Sequence, residues 1–259
     1  MAEGNVPALR RGLAVLGALA RQAGPVSAAA LARDLGLPRS TTYHLLAELE
    51  AAGFVVHLPD ERRYGLGITA FELGSAYLRH DPLERLAGPI LRALVDLVGH
   101  TAHLGVLHGA ELLYLIKERP AHPETLVTDV GVRLPVHLTA SGRAMLAHLP
   151  AAHVRALLPA SRPFVLRTGR GPAGPGELRR LLAEHRRLGW AIEDGHVTEG
   201  FASVAHAVLD HGGHPLASIS VTFRHSCTGD DCHETWPDLA TRVRHAATEL
   251  ATRITGRTR

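Results

Sequence analysis

Two short stretches of the sequence carry side chains that could do chemistry. The first, LTASG from Leu138 to Gly142, places two hydroxyl groups and several small residues just before a predicted helix. Free backbone N–H groups and the helix dipole favour a bound carboxylate at such a position. Capping the helix is the more common use of Thr and Ser there. The stretch therefore predicts either a carboxylate contact or a helix cap.

The second stretch, HSCTGDDCH, contains four side chains of the types that bind zinc: His225, Cys227, Cys232 and His233. Imidazole and thiolate groups suit this metal. The spacing does not match a common zinc finger, since structural zinc sites usually have closely paired ligands such as CxxC. A surface loop is the favoured interpretation. We therefore predict no metal and no cofactor, and keep these four residues as the candidates if a metal is bound.

The Ser, His and acidic residues of the C-terminal half also raise the alternative of a hydrolase-like enzyme. That chemistry needs a nucleophile held on a tight turn, for which GxSxG is the known pattern. The sequence has no GxSxG, and ASGR around Ser141 lacks the glycine before the serine. A binding protein is therefore the preferred class.

Composition sets the wider frame. The 259 residues are 46% hydrophobic and 20% charged, which is enough to build two ordinary cores. The formal net charge is only +3, and residues 1–67 carry seven Arg against six Asp plus Glu. Net charge alone is thus weak support for binding nucleic acid, and any attraction must come from where the Arg residues lie.

Cellular location follows from the cysteines and the apolar runs. Two cysteines cannot build a disulfide framework in a chain of this length, so we expect a cytoplasmic protein without membrane contact. Arg10 and Arg11 before GLAVLGALA imitate a twin-arginine export signal. The same leucines are needed for a helical bundle, which favours the cytoplasmic interpretation.

LARDLGLPRSTTYHLLAELEAAGFV, from Leu31 to Val55, predicts two short helices joined at a sharp corner. Ser27 can cap a helix that begins near Ala28, and Gly36 can end it in the left-handed conformation. Pro38 suits the first turn of the next helix. Short polar residues then occupy the N-terminal end of that helix. A helix-turn-helix has this arrangement, although an ordinary helical corner would share it.

The flanking residues favour the DNA-binding interpretation. FVVHL and RRYGL, from Phe54 and Arg62, predict a hairpin, which would be the wing of a winged helix with Arg62 and Arg63 near phosphates. Upstream, leucines at helical spacing predict the third helix of the bundle: Leu9, Leu13, Leu16 and Leu19.

Further along, the pattern predicts a mixed domain. Pro82 to Gly99 is expected to be an amphipathic helix, and TAHLGVL with ELLYLI to be paired strands. FASVAHAVL and PLASISVTF predict two more strands, while RAMLAHL, GELRRLLAEHRRLG and the C-terminal DLATRVRHAATELATRI predict helices. Between the two halves, ITAFELGSAYL has apolar side chains at helical spacing and is expected to be a linker helix and a dimer contact.

Together these segments resemble the IclR family of bacterial transcriptional regulators. RGLAVLGAL, the helix-turn-helix stretch and RRYGLG resemble its DNA-binding half. GHTAHLGVLHGAELLYL, VGVRLPVHLTASGRAMLAHLP, GWAIEDGHVTEG and PLASISV are similar, in order, to four blocks of its effector-binding domain. The resemblance covers nearly the whole chain.

The resemblance implies an α+β fold with three parts. They are a winged helix-turn-helix domain at residues 5–67, a linker helix at 68–80 and a GAF-like mixed α/β effector-binding domain at 81–256. It also implies a regulator that binds near-palindromic operator DNA as a homodimer or tetramer and responds to a small organic acid or aromatic effector.

The DNA-contacting residues follow from the polar end of the second helix and the wing. His44 is expected to be a weaker partner, because the family commonly has Arg there. The full set is Ser27, Arg39, Ser40, Thr41, Thr42, Tyr43, His44, Arg62 and Arg63.

Effector contacts are carried over from the family motifs. Ser203 stands where the family often has Cys, and Gly195, His196 and Val197 stand where it often has acidic or amide residues, so the ligand class stays open. An ionised Glu193 would repel an acid ligand unless it is turned away or protonated. The expected effector-binding residues are His103, Thr139, Ala140, Ser141, Gly142, Glu193, Asp194, Ser203, Ser220 and Thr222.

Overall fold

A computed structural model describes residues 6–22, 24–73, 82–161, 163–225 and 236–255. The chain divides into two compact units, Met1–Asp81 and Pro82–Arg259. Within the described residues no helix is long and apolar enough to cross a membrane.

The first unit is a three-helix bundle followed by a hairpin. Its helices are α1 (Pro7–Ala20), α2 (Ala28–Asp34) and α3 (Arg39–Ala51), and its strands are β1 (Val55–Leu58) and β2 (Arg63–Leu66). Residues 68–73 are again helical. This is the winged helix-turn-helix that the sequence predicts.

Local chemistry sets the corner between α2 and α3. The Ser27 hydroxyl accepts a hydrogen bond from the Ala30 N–H at 3.3 Å and so caps α2. Gly36 has a φ of 62°, in the left-handed region where glycine has no steric penalty. Pro38 then precedes the first turn of α3.

The core of this unit joins all three helices to the hairpin. Its buried members include Val15, Leu31, Leu46, Val55 and Tyr64. The helix predicted from the leucine spacing is present as α1, although Leu9 and Leu13 are 61% and 59% exposed and do not belong to its buried face. The buried face of α1 is formed by Gly12, Val15, Ala18 and Leu19. Leu9 and Leu13 lie outside this face.

The second unit is built on one antiparallel sheet. Its strands are β3 (Thr101–His108), β4 (Glu111–Glu118), β5 (Arg133–Pro135), β6 (Ala191–Asp194), β7 (Phe201–Leu209) and β8 (Pro215–Arg224). They lie in the order β5-β4-β3-β8-β7-β6.

Helices cover both faces of this sheet. They are α4 (Pro82–Val98), α5 (Ala140–Ala147), α6 (Ala151–Leu157), α7 (Pro175–Leu188) and α8 (Trp236–Thr255). Helices α4 and α8 pack on the face that carries Val204, Ile219 and Val221. Because strand side chains alternate, the neighbouring positions on β7 and β8 face the other way, where α5 packs. The sequence analysis did not anticipate α6, whose seven residues include no buried one.

Candidate functional site

The N-terminal end of α3 presents a polar surface to solvent. Arg39, Ser40, Tyr43 and His44 are exposed, and Thr41 is half-buried. Arg62 and Arg63 are exposed on the hairpin, where the Arg63 guanidinium donates to the Pro25 carbonyl at 3.3 Å. Donor-rich side chains at the start of an exposed helix suit both base edges and phosphates.

Thr42 is the exception in the predicted set. Its side chain is 0% exposed, and its hydroxyl donates to the Pro38 carbonyl at 3.1 Å. The assignment of a DNA contact to this side chain is therefore corrected. Ser27 is exposed, but its hydroxyl is already engaged as the cap of α2. Ser27 therefore fixes the start of α2, and Thr42 fixes the first turn of α3.

A cavity lies in the second unit, between the sheet and the start of α5. Seven of the predicted effector-binding residues line this cavity although they are far apart in the sequence. They are Thr139, Ala140, Ser141, Glu193, Ser203, Ser220 and Thr222. Hydroxyl groups from two adjacent strands thus face the first turn of a helix.

The Thr139 side chain caps α5. Its hydroxyl accepts a hydrogen bond from the Gly142 N–H at 2.9 Å, and both residues are buried at that turn. Gly142 does not line the cavity. A Cβ at this position would lie 2.2 Å from the Val136 carbonyl oxygen, so glycine is needed for packing. Thr139 therefore lines the cavity and caps the helix at once.

Glu193 is the acidic group of this cavity, and only 4% of it is exposed. Its Oε1 accepts a hydrogen bond from the Ser203 hydroxyl at 2.8 Å, and its Oε2 accepts one from the His196 N–H at 3.0 Å. The Ser203 hydroxyl also lies 3.0 Å from that of Thr222. Burial raises the pKa of the Glu193 carboxyl from 4.5 to about 7, although these hydrogen bonds and the Arg143 charge oppose the rise.

His103 does not line the cavity but contacts a residue that does. Its Nε2 is 2.9 Å from the hydroxyl of Thr128, which does line the cavity, and its ring lies 4.9 Å from that of Tyr114. Burial lowers the pKa of His103 to about 3, so the ring is neutral at physiological pH. The Lys117 ammonium donates to the Thr128 carbonyl and fixes the same loop.

Arg143 connects two parts of the cavity wall through hydrogen bonds. It was not among the residues predicted from the sequence. This fully buried side chain donates to the carbonyls of His137 and Ile192, and one of its nitrogens lies 3.0 Å from Nδ1 of His196. Burial lowers its pKa to about 10. It joins the residues before α5 to the end of the sheet that carries Glu193.

Asp194 lies outside the cavity. Its Oδ1 is 3.0 Å from Nδ1 of His225, the first of the four metal-ligand candidates. Cys227, Cys232 and His233 lie outside the described residues. Among the residues that are described, no group of three or more His, Cys, Asp or Glu side chains could hold a metal ion.

Several cavity residues were absent from the predicted set, because apolar side chains on strands and loops are usually core or solvent-facing. Tyr114 is buried on β4 in the same core cluster as Leu112, and its ring packs against that of His103. The other unpredicted lining residues are Leu126, Val127, Thr128, Val197, Thr198 and Phe201.

A winged helix in one unit and a lined cavity on a helix-covered sheet in the other define a class of protein, the transcriptional regulators that combine a DNA-binding domain with an effector-binding domain. Comparison of the sequence identifies the family. Residues 8–59 match the IclR helix-turn-helix domain, and residues 75–252 match the bacterial transcriptional regulator IclR C-terminal domain. The chain belongs to the IclR family of bacterial transcriptional regulators.

Named relatives agree with this assignment. Transcriptional repressor IclR of Escherichia coli (strain K12) is 31% identical over 232 residues, which are 89% of this chain and 84% of the relative. HTH-type transcriptional repressor AllR of Klebsiella pneumoniae is 30% identical over 227 residues, 85% of this chain and 81% of the relative. These proteins are regulators, and the chain is therefore not the hydrolase considered as the alternative.

Solved structures share the fold. An IclR transcriptional regulator from Alicyclobacillus acidocaldarius has a TM-score of 0.82 at 24% identity, covering 96% of this chain and 98% of that one. An IclR homolog from Microbacterium hydrocarbonoxydans, complexed with 4-hydroxybenzoate, has a TM-score of 0.78 at 25% identity and covers 95% of this chain and 98% of that one.

Proposed function

We propose that this protein is a cytoplasmic, ligand-responsive repressor that binds near-palindromic operator DNA as a dimer or tetramer and changes its DNA affinity when a small organic acid or aromatic effector binds. The observation that carries the proposal is the exposed polar end of α3 beside an arginine-bearing hairpin, in a member of a family of transcriptional regulators. Repression is supported by the names of the relatives.

The exposed side chains of this surface are the proposed DNA contacts. Arg39, at the start of α3, is the best candidate for a bidentate contact with guanine, and Ser40, Thr41, Tyr43 and His44 complete the surface that meets bases and phosphates. Arg62 and Arg63 on the hairpin contact phosphates beside it. Because net charge is small, affinity depends on these local arginines and not on the field of the whole protein.

Assembly is supported by apolar side chains left exposed in the first unit. Leu9 and Leu13 lie exposed on α1 with Val6 just before it, and Ile68, Phe71 and Leu73 lie exposed on the helical residues 68–73. Large apolar side chains exposed at several positions of one unit are the kind of surface that a subunit contact would cover. A single helix-turn-helix also reads too few base pairs for a useful specificity ratio, so two copies on two half-sites are needed.

The cavity of the second unit is the proposed effector site. Backbone N–H groups at the start of α5 attract a carboxylate, while Tyr114 and Phe201 supply aromatic walls. Glu193 is compatible with an acid ligand because its raised pKa leaves a large protonated fraction at neutral pH, and a protonated carboxyl can donate a hydrogen bond. The 4-hydroxybenzoate complex of the Microbacterium relative supports an aromatic acid as the ligand class.

Switching requires that the effector bind the DNA-competent and DNA-incompetent arrangements with different affinity. A coupling of about 1–3 kcal/mol would change DNA affinity roughly 5- to 150-fold. Segment 68–80 connects the two units along the chain and is the proposed route, since its described part is helical.

Two experiments test these proposals separately. DNA fragments selected from the genome by the purified protein are titrated at several salt concentrations, and specific binding with a steep salt dependence is expected. Absence of any selected fragment would refute the DNA-binding proposal.

For the effector, metabolites are screened for thermal stabilisation of the wild type and retested on Ser220→Ala and Ser203→Leu. A ligand that stabilises both variants as strongly as the wild type would place the effector site elsewhere.

A further inference from the structure

A second cavity lies in the same unit between α6 and α7, and none of its lining residues belongs to the first cavity. It is a partly open groove whose lining comes from both helices and from the loop between them. Its floor is apolar and partly or fully buried, formed by Val154, Leu158, Phe164, Leu178 and Leu182. Such a floor favours a ligand with a hydrocarbon or aromatic body.

Three arginines stand around this apolar floor. Arg179 and Arg186 come from α7, seven residues apart and hence on one face of the helix, and Arg155 comes from α6. Within the described part of the chain, none of the three forms an ion pair with an acidic side chain. Three guanidinium groups without carboxylate partners around one cavity create a site for an anion.

Arg186 is held in place for such a contact. Its Nε donates to the Ala147 carbonyl at 2.6 Å, and this is its one hydrogen bond to the described residues. The two terminal nitrogens of the guanidinium are the groups that bind carboxylates side by side. A side chain already fixed through Nε loses less conformational freedom when a ligand binds.

Phe164, another lining residue of this cavity, packs against a neighbouring ring. Its ring lies 4.6 Å from that of His137, and Nε2 of His137 is 3.0 Å from the carbonyl oxygen of Val165. The aromatic wall is therefore anchored to the residues that precede α5. Both sides of the cavity are pre-formed, as is usual for small-molecule sites.

We propose that this second cavity binds a small organic anion with an apolar body, such as a medium-chain or aromatic carboxylate. The apolar floor takes the body, and the three arginines take the carboxylate. The proposal depends neither on DNA nor on the first cavity, so it stands or falls independently of the proposed function.

Octanoate is a suitable probe, and 1-octanol is its uncharged counterpart. Binding to the full-length protein is measured by isothermal titration calorimetry. We expect one saturable octanoate site and at least about tenfold weaker binding of octanol, because charged hydrogen bonds to arginine are lost. The double variant Arg155→Gln/Arg179→Gln removes two exposed arginines with little risk to folding and should weaken octanoate at least about tenfold.

Matched controls separate the site from its alternatives. Arg180→Gln/Arg187→Gln makes the same charge change on α7 outside this cavity, and Thr222→Leu fills the first cavity. Both should leave octanoate affinity within about twofold. The proposal is overturned if octanol binds as tightly as octanoate, if the control pair weakens binding as much as the test pair, or if Thr222→Leu abolishes it. It is equally overturned if octanoate fails to bind while the test pair changes the oligomeric state, since a second copy would then cover the groove.

Discussion

The Ser203 hydroxyl donates a 2.8 Å hydrogen bond to the Glu193 carboxyl, and the two residues are also paired partners on strands β6 and β7. The sheet therefore orients both groups toward the cavity that is the proposed effector site. A buried carboxyl held this way, with its pKa raised to about 7, changes charge within the physiological range. Its protonation state decides whether the cavity repels or accepts an anion.

The first prediction is that a carboxylate effector binds more weakly as pH rises through about 7. Protonated Glu193 donates a hydrogen bond to the ligand, whereas the ionised form repels it, so affinity should fall up to about tenfold per pH unit above the pKa. 4-Hydroxybenzoate titrated calorimetrically between about pH 6 and about pH 8 is a direct probe. Glu193→Gln should bind with little pH dependence, because an amide cannot ionise.

Three other titratable groups near the cavity have pKa values outside this window. Burial holds the pKa of His103 near 3 and that of His196 near 4, and it raises the pKa of Tyr114 above its ordinary value of 10. The variant His225→Gln is the control for His225, which contacts Asp194. An equal pH dependence in wild type and Glu193→Gln would refute the assignment to Glu193.

Arg39→Ala should weaken specific DNA binding by roughly 1–3 kcal/mol if Arg39 reads a base, or reduce the salt slope by about one unit if it contacts only phosphate. Fluorescence anisotropy on a selected duplex at several salt concentrations distinguishes the two. Arg92→Ala, at an exposed arginine of α4, makes the same charge change in the second unit. Unchanged binding by Arg39→Ala would remove this residue from the interface.

Thr42 and Ser40 should respond in opposite ways. Thr42→Val removes the hydrogen bond to Pro38 inside the corner and should lower the free energy of unfolding by about 1 kcal/mol. Ser40→Ala changes an exposed side chain, so it should weaken DNA binding with little effect on stability. Chemical denaturation and duplex binding, both measured on each variant, check the contrast. A Thr42→Val protein of full stability that loses DNA contacts would reverse the assignment.

Leu9→Glu/Leu13→Glu should dissociate the assembly, because two carboxylates would replace exposed apolar side chains proposed to lie at a subunit contact. Sedimentation at micromolar concentration should show a smaller species, and operator affinity should fall with it. Val165→Glu, on an exposed loop of the second unit, is the control. If the double variant sediments as the wild type does, α1 is not the contact.

Local sequence signals predict the first unit well because its boundaries depend on individual residues. A capping serine, a left-handed glycine and a helix-starting proline each act within a few positions, and the observed helices begin and end at them. The buried Thr42 was mispredicted because a polar residue at the start of a helix can either face solvent or bond back to the preceding turn. Helical spacing alone does not separate the two.

The cavity contains residues that could not be predicted from local sequence signals. Matching to family motifs selects residues of β7, β8 and the start of α5, and the structure brings most of them together. Arg143 and Tyr114 escape such reasoning because their positions depend on strand order. Arg143 contacts Ile192, 49 positions away, and nothing near either residue in the sequence indicates the pairing. Long-range contacts of this kind follow from topology and not from local preference.

Helix α5 limits how this protein can be re-engineered. All eight of its residues are buried, its first turn lines the first cavity, and its Ala147 carbonyl accepts a hydrogen bond from Arg186 at the second cavity. An enclosed helix about 12 Å long has no free position at which a side chain can change size without moving its neighbours. Mutations at its two ends should therefore be non-additive. Adapting the protein into a biosensor for a new compound is better begun at the partly exposed wall residues Leu126, Val127 and Thr198, where a change in side-chain volume is absorbed by solvent.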